Sequence, residues 1–171
     1  AHQHFWRLSR GDYGWLTPTL APIYRDFEVP ELAPHLAANR ISGTVLVQAA
    51  PTEAETRFLL RLAAESAGLI GGVVGWVDFE APDVRERLAR LAANPLHCGV
   101  RPKIQDIADA DWMLERRLDE AFRAIVDLDL RFDALVQPRH LRNLRRLLDR
   151  HPDLRTVVDH RSEERRGGEE C

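Results

Sequence analysis

The sequence predicts an α/β fold and, within that class, a partial (β/α)8 TIM barrel with about six of the usual eight units. Three observations support this prediction. Short apolar runs rich in β-branched residues alternate with stretches of helical periodicity. The centres of these runs lie about 25 to 35 residues apart, which suits a repeated strand–helix unit with a parallel sheet. Polar side chains that could carry chemistry fall at the ends of the runs.

The predicted strands are short apolar runs bounded by residues that break strands. Residues 41–49 form such a run, and Pro51 ends it. The next run, residues 69–79, contains Gly71, Gly72 and Gly75, which favour strands poorly and imply close backbone approach. A shortened first strand precedes these two near the start of the chain, and the remaining strands are predicted at residues 98–104, 130–136 and 154–160.

Helical patterns fill the intervals between the strands. Thr52 and Glu55 are spaced as a capping box, in which a hydroxyl and a carboxylate each bind a free N–H at a helix start. The helix that follows runs to about residue 67, and Gly68 ends it. Further helices are predicted from residue 82 to the Asn94-Pro95 pair, at residues 111–128 and at residues 138–150.

Two parallel architectures compete for this pattern. A doubly wound sheet would carry a glycine-rich phosphate loop after its first strand, but neither G-x-G-x-x-G nor a Walker A motif occurs. A barrel places its chemistry at the carboxyl ends of its strands, which favours the barrel here. The polar residues at predicted strand ends are His2, His4, Gln48, Asp78, Arg101, Gln137 and His160.

Composition limits the classes of partner. The 171 residues carry a formal net charge of −3, which argues against a nucleic-acid binder. No apolar run approaches the roughly 18 residues of a membrane span. The two cysteines, Cys98 and Cys171, make no disulfide framework, so the sequence predicts a cytoplasmic protein.

The two ends of the chain depart from the pattern between them. The chain opens on Ala1 without a methionine, and residues 161–171 are mostly charged with no large hydrophobic side chain. We expect residues 1–160 to form the partial barrel and residues 161–171 to be a disordered, foreign tail. The alternative is a natural solvated terminus. A complete barrel takes about 250 residues, so this length suits about six units.

The histidines give the first indication of chemistry. On an extended strand His2 and His4 point to the same side, where two imidazoles can bind one metal ion or one substrate oxygen. A chance pair is the alternative. His160 ends a predicted strand and would point into the barrel mouth; the alternative is a hydrogen-bonded strand end. The other four histidines look ordinary, and His97 is predicted in a loop.

Several segments together resemble the amidohydrolase-related family, and more narrowly its L-fuconolactonase and L-rhamnono-lactonase-like branch. The opening segments AHQHFW (1–6) and GDYGWL (11–16) carry the resemblance first. Later segments agree with it: TVLVQA (44–49), GVVGWVD (72–78), GVRP (99–102), FDALV (132–136) and VVDH (157–160). This ordered set covers residues 1–160 and is far more specific than any one motif.

The resemblance implies a hydrolase of sugar lactones, active in sugar catabolism, with its site at the carboxyl mouth of the barrel. His2, His4 and His160 match the family's catalytic histidines, which in metal-using relatives hold one divalent ion, often zinc. Some lactonases of this branch need no metal. A histidine cluster, or a metal it holds, would polarise the lactone carbonyl while a water attacks.

The resemblance also implies which residues bind the small sugar lactone. Arg101 matches an arginine that could bind substrate oxygens, while Gln48 and Trp15 could line the pocket. A packing role in a surface loop is the alternative for Trp15. Arg101 and Lys103 would also suit an anionic substrate, which leaves open another reaction of the amidohydrolase type, a decarboxylation or hydrolysis of an aromatic acid. The oligomeric state is left open.

One departure from the family pattern concerns the general base. The family's usual base is an aspartate at the end of the eighth strand, and neither Asp78 nor Asp159 matches it. Asp159 could orient a neighbouring histidine, or could be an ordinary polar strand end. We therefore expect residues 1–171 alone to show no lactone hydrolysis. A truncated product without enzymatic function, or a binding module derived from it, is the remaining alternative.

Overall fold

The computed structural model describes residues 2–159, in which six parallel strands form one sheet. The strand order follows the chain from first to last, so every strand pairs with its neighbours in sequence. A doubly wound sheet would reverse its order at a switch point, and this one does not. The predicted partial barrel is therefore confirmed. The strands are β1 (His2–Gln3), β2 (Thr44–Val47), β3 (Ile70–Gly75), β4 (His97–Val100), β5 (Arg131–Ala134) and β6 (Thr156–Val158).

One α-helix lies between each pair of consecutive strands. Together with the sheet order, this gives five strand–helix repeats and a sixth strand. The helices are α1 (Val29–Ala38), α2 (Glu53–Glu65), α3 (Val84–Ala92), α4 (Asp119–Asp127) and α5 (Leu141–Arg150). None of the helices in residues 2–159 is long and apolar enough to cross a membrane.

The first helix, α1, is absent from the sequence prediction. Pro30 and Pro34 both lie inside it, and proline in a helical pattern usually indicates a break. The structure tolerates Pro30 because it lies in the first turn, where its missing N–H would have no partner within the helix. Glu28 and Glu31 form the capping box that starts α1.

The segment 111–128 is predicted as one helix, but only its second half is α4. Two 3₁₀ turns precede α4, separated by Glu115 in extended backbone. The carbonyl of Leu114 accepts a hydrogen bond from Arg150 Nη1 at 3.0 Å instead of continuing a helix.

The start of α2 shows half of the predicted capping box. Thr52 Oγ1 accepts the backbone N–H of Glu55 at 3.0 Å, as predicted. The Glu55 carboxylate does not return to the helix start. It accepts the backbone N–H groups of Ala49 and Ala50, which follow β2. Glu55 therefore ties the first turn of α2 to the segment that follows β2.

The glycines of β3 meet close neighbours at two of the three predicted positions. A Cβ added at Gly75 would lie 2.3 Å from Thr56 Cγ2, and one at Gly72 would lie 2.8 Å from Cys98 Sγ. At Gly71 the nearest atom, the carbonyl oxygen of Thr44, is 3.9 Å away. The close approach is thus confirmed at Gly72 and Gly75 and wrong at Gly71.

The main apolar core includes buried residues from the strands and the helices. Three aromatic rings mark its centre: Phe79, Phe122 on α4 and Phe132 on β5. The Phe122 centroid lies 5.6 Å from that of Phe79 and 5.4 Å from that of Phe132. Such close packing holds the strands in fixed positions, so the residues directly after them share a fixed geometry. Ala1, His160 and the predicted tail 161–171 lie outside the described residues.

Candidate active site

The candidate site is a cavity of about 440 Å³ at the carboxyl edge of the sheet. His4 follows β1, Ala49 follows β2, Arg101 follows β4 and Leu135 follows β5. Because all six strands are parallel, these residues meet at one edge, where barrels carry their chemistry. The complete lining is His4, Trp6, Trp15, Ala49, Arg101, Lys103, Gln105, Asp106 and Leu135.

The two predicted histidines lie side by side at this edge. Their Nε2 atoms are 3.1 Å apart, and His4 Nδ1 lies 2.8 Å from the carbonyl oxygen of Val47. A carbonyl oxygen only accepts hydrogen bonds, so His4 carries its proton on Nδ1 and, when neutral, presents a lone pair on Nε2. His2 Nε2 can then donate a hydrogen bond to that lone pair, or both nitrogens can bind one cation.

The histidine pair fits two ligands of a divalent ion. Two nitrogens bound to one tetrahedral zinc at about 2.0–2.1 Å are about 3.4 Å apart, and His2 and His4 hold theirs at 3.1 Å. Imidazole nitrogen is also a ligand that zinc prefers. Within residues 2–159 no group of three or more histidine, cysteine or acidic residues could hold a metal. The third predicted ligand, His160, lies outside these residues.

Arg101 is the centre of a buried polar network. Its Nη1 donates to Asp159 Oδ2 at 3.0 Å, and the two side chains are only 5% and 2% exposed. Its Nη2 donates to the carbonyl oxygen of Gln48. Asp159 Oδ1 in turn lies 3.8 Å from His2 Nδ1. The network therefore connects the ends of β2, β4 and β6 with the histidine on β1.

Gln48 belongs to this network and does not line the cavity. Its side chain is fully buried, and Nε2 donates to the carbonyl oxygen of Arg101 at 2.9 Å. Gln48 and Arg101 thus exchange two hydrogen bonds between side chain and backbone. The structure places the amide behind the cavity wall, where it holds the end of β2 against the end of β4.

Two tryptophans form one wall of the cavity. Trp15 Nε1 donates to the carbonyl oxygen of Ala49 at 2.9 Å, and the Trp15 ring meets Trp6 edge to face at 5.5 Å between centroids. Trp6 Nε1 donates to the carbonyl oxygen of Arg25 at 2.7 Å. Trp15 therefore lines the cavity and also packs within its loop. The part played by Trp6 was not predicted.

Glu55 supports this wall from behind. Its buried carboxylate accepts the N–H of Ala50 at 2.7 Å and that of Ala49 at 3.1 Å. Burial raises the pKa of Glu55 to about 7, and the two backbone donors oppose that rise. Since Ala49 also binds Trp15, Glu55 helps fix the tryptophan wall. The Thr-x-x-Glu spacing revealed the residue but assigned its carboxylate to the wrong N–H groups.

Asp133 is a second carboxyl that the sequence did not single out. It lies on β5 and is buried. Burial, with a further contribution from Asp159, raises the pKa of Asp133 to about 7, while Arg101 lowers it. The signal that could have found it was an aspartate between two apolar residues, Phe132 and Ala134, within a predicted strand.

Comparison with known proteins gives concordant results. The profile of the amidohydrolase family matches residues 1–164. An L-fucono-1,5-lactonase of Burkholderia ambifaria is 45% identical over 160 residues, which cover 94% of this chain and 55% of the relative. An L-fucono-1,5-lactonase of Burkholderia multivorans is 35% identical over 164 residues, which cover 94% of this chain and 54% of the relative. The chain spans about half the length of the curated relatives it matches.

Solved structures agree with the fold. A crystal structure of an amidohydrolase from Burkholderia multivorans with bound zinc has a TM-score of 0.85 at 33% identity. The match covers 93% of this chain and 56% of that one. An amidohydrolase 2 from Bifidobacterium longum subsp. infantis has a TM-score of 0.68 at 20% identity, and the match covers 94% of this chain and 59% of that one. The latter likeness concerns the fold alone.

Proposed function

Because this chain belongs to the amidohydrolase family, we propose that it forms the lactone-binding part of a sugar lactonase acting on L-fucono-1,5-lactone or a close relative. The observation that carries the proposal is the 45% identity to such a lactonase over 160 residues. The cavity at the strand ends supports it, because histidine and aromatic side chains line one space large enough for a small ligand.

The reaction is the hydrolysis of a cyclic ester. Water adds to the carbonyl carbon, the bond from that carbon to the ring oxygen breaks, and the ring oxygen takes up a proton. The products are a hydroxyl group and a carboxylate, with one proton released to solvent. The barrier is lowered by any group that stabilises the negative charge developing on the carbonyl oxygen.

We assign the electrophilic side of this reaction to the histidines. His4 presents Nε2 at the cavity, and its bond to the carbonyl oxygen of Val47 fixes the ring. His2 and His4, with His160 as the proposed third ligand, would hold a divalent ion such as zinc. When bound, such an ion supplies a Lewis acid that polarises the lactone carbonyl.

The other predicted residues shape the space around the lactone. We assign to Trp15 a direct contact with the apolar face of the sugar ring, since aromatic faces pack well against such C–H surfaces. Arg101 lines the cavity and holds its own position through Asp159 and Gln48. Gln48 acts on the substrate through Arg101.

A chimera tests this function directly. Residues 2–159 replace the corresponding part of the Burkholderia ambifaria lactonase, and release of acid from L-fucono-1,5-lactone is followed with a pH indicator. We expect the chimera to hydrolyse the lactone and His4→Ala to abolish hydrolysis. His35→Ala is the matched control, because it makes the same change on an exposed face of α1.

Two results of the chimera experiment would count against the proposal or part of it. A chimera that unfolds cooperatively at the temperature of its parent, yet hydrolyses no L-fucono- or L-rhamnono-lactone, would refute it. If the His4→Ala chimera is as active as the parent chimera, the role of the histidine pair is refuted, but the lactonase function is not.

A further inference from the structure

Lys103 is the only lysine of the chain, and it lies at the candidate site. It follows β4 by three residues and lines the 440 Å³ cavity. It also lines a neighbouring cavity of about 300 Å³, as does Asp106. Lys103 and Asp106 therefore stand between two spaces at the mouth of the barrel.

The Lys103 ammonium has an exchangeable partner. Nζ lies 2.9 Å from Asp106 Oδ2, three residues along the chain, and the Asp106 side chain is 53% exposed. The Lys103 side chain is 21% exposed, and water competes with it for the half-exposed Asp106 carboxylate, which limits what this ion pair contributes. Another carboxylate can replace Asp106 at small cost.

The other permanent cation at the cavity is not available in this way. Arg101 binds Asp159 and the Gln48 carbonyl with its two terminal nitrogens, and its side chain is 5% exposed. Releasing that guanidinium would leave Asp159 buried without its partner, which is strongly unfavourable. Of the two cations, only Lys103 can therefore move toward a new negative charge without breaking a buried ion pair.

Lactone hydrolysis generates such a charge, because a neutral ring becomes an open-chain acid with a carboxylate. We propose that Lys103 binds this carboxylate and exchanges Asp106 for it, so that Lys103 distinguishes the acid from the lactone. The proposal rests on the proposed lactonase function for its ligand. A compact ammonium with three donors suits one carboxylate.

The single lysine allows a direct measurement on the full chain. Reductive methylation with ¹³C-formaldehyde labels Lys103 and the N-terminal amine, and Lys103→Gln identifies which signal belongs to the lysine. We expect L-fuconate to shift the Lys103 methyl signal in a saturable titration. L-fucitol, with the same chain of hydroxyl groups but no carboxylate, is expected to leave it unchanged.

The affinity for L-fuconate, measured by calorimetry at low ionic strength, distinguishes a ligand-binding role of Lys103 from a purely structural one. Lys103→Gln is expected to weaken L-fuconate binding about tenfold, and Asp106→Asn to strengthen it about threefold by removing the competing carboxylate. The change in lactone affinity should be smaller than the change in L-fuconate affinity in both variants, because the lactone carries no charge. Arg145→Gln, which removes a cation from an exposed ion pair on α5, is the control for net charge.

Opposite effects of the two variants are the signature of an exchange. If both weaken L-fuconate binding equally, the ion pair has only a structural role and the proposal fails. Unchanged affinity in Lys103→Gln, or no binding of L-fuconate by the full chain, also overturns it. An inactive chimera alongside a Lys103-dependent L-fuconate site would refute the lactonase function and leave this proposal standing.

Discussion

Removing the Asp159 carboxylate should lower the free energy of unfolding, because it leaves the guanidinium of Arg101 buried without its charged partner. Asp159→Asn keeps the shape of the side chain and removes the charge 3.0 Å from Nη1. At an effective dielectric constant of about 20, two unit charges at this distance attract by about 5.5 kcal/mol. Breaking a buried pair from one side costs about 3–5 kcal/mol.

Two features of the site place the expected loss at the lower end of that range. The Gln48 carbonyl continues to accept from Arg101. Asp159 also contributes to the raised pKa of Asp133, so its replacement lets Asp133 ionise more readily near Arg101. We expect Asp159→Asn to lower the free energy of unfolding by about 3 kcal/mol, or the Tm by roughly 6–12 °C.

Urea denaturation of the full chain at pH 7.5 measures this loss. The matched control is Asp149→Asn, which breaks an Arg–Asp pair of similar length, 2.9 Å, between side chains that are 78% and 62% exposed. We expect no measurable change there. A double-mutant cycle with Arg101→Met should give a coupling of at least about 2 kcal/mol. Equal effects of Asp159→Asn and Asp149→Asn would refute the reasoning.

Two further predictions concern the surroundings of the site. Burial raises the pKa of Glu55 to about 7. The folded chain therefore binds the Glu55 proton more tightly than the unfolded chain, and this stabilisation is complete below about pH 4.5. It is lost as the pH rises through 7. In urea denaturation Glu55→Gln should therefore gain up to about 3 kcal/mol relative to wild type between pH 4.5 and 8; parallel pH profiles would contradict this. Gly75→Ala should cost about 3 kcal/mol because its Cβ would lie 2.3 Å from Thr56 Cγ2. Thermal denaturation should show partial rescue by Thr56→Ser and little effect of Gly71→Ala, and a tolerated Gly75→Ala would disprove the close contact.

The sequence predicted the residues that depend on strand ends. His2, His4 and Arg101 could be placed at one mouth because parallel strands bring their carboxyl ends to the same edge. The structure brings His4, Arg101 and Trp15 to one cavity and sets His2 against His4. Strand periodicity was enough to place His2, His4 and Arg101, whereas Trp15 was predicted only through the family resemblance.

Side-chain direction was beyond the sequence. Nothing in the segment 44–49 shows that the Gln48 amide binds the Arg101 backbone and leaves the cavity to Ala49. His97 was predicted in a loop, but it begins β4 and is buried, and burial lowers its pKa to about 4. Such placements depend on which face of a strand meets a helix, and that is decided by packing between distant elements.

The position of the histidine pair follows from contacts among four strands. His4 is held by the Val47 carbonyl at the end of β2, and His2 lies beside Asp159 after β6. Arg101 after β4 holds Asp159 and joins it to the end of β2. A change at Arg101 should therefore alter the histidine geometry without touching either ring. All of these contacts lie within the described residues, so the binding of a proton or a cation by the histidine pair can be measured on the full chain.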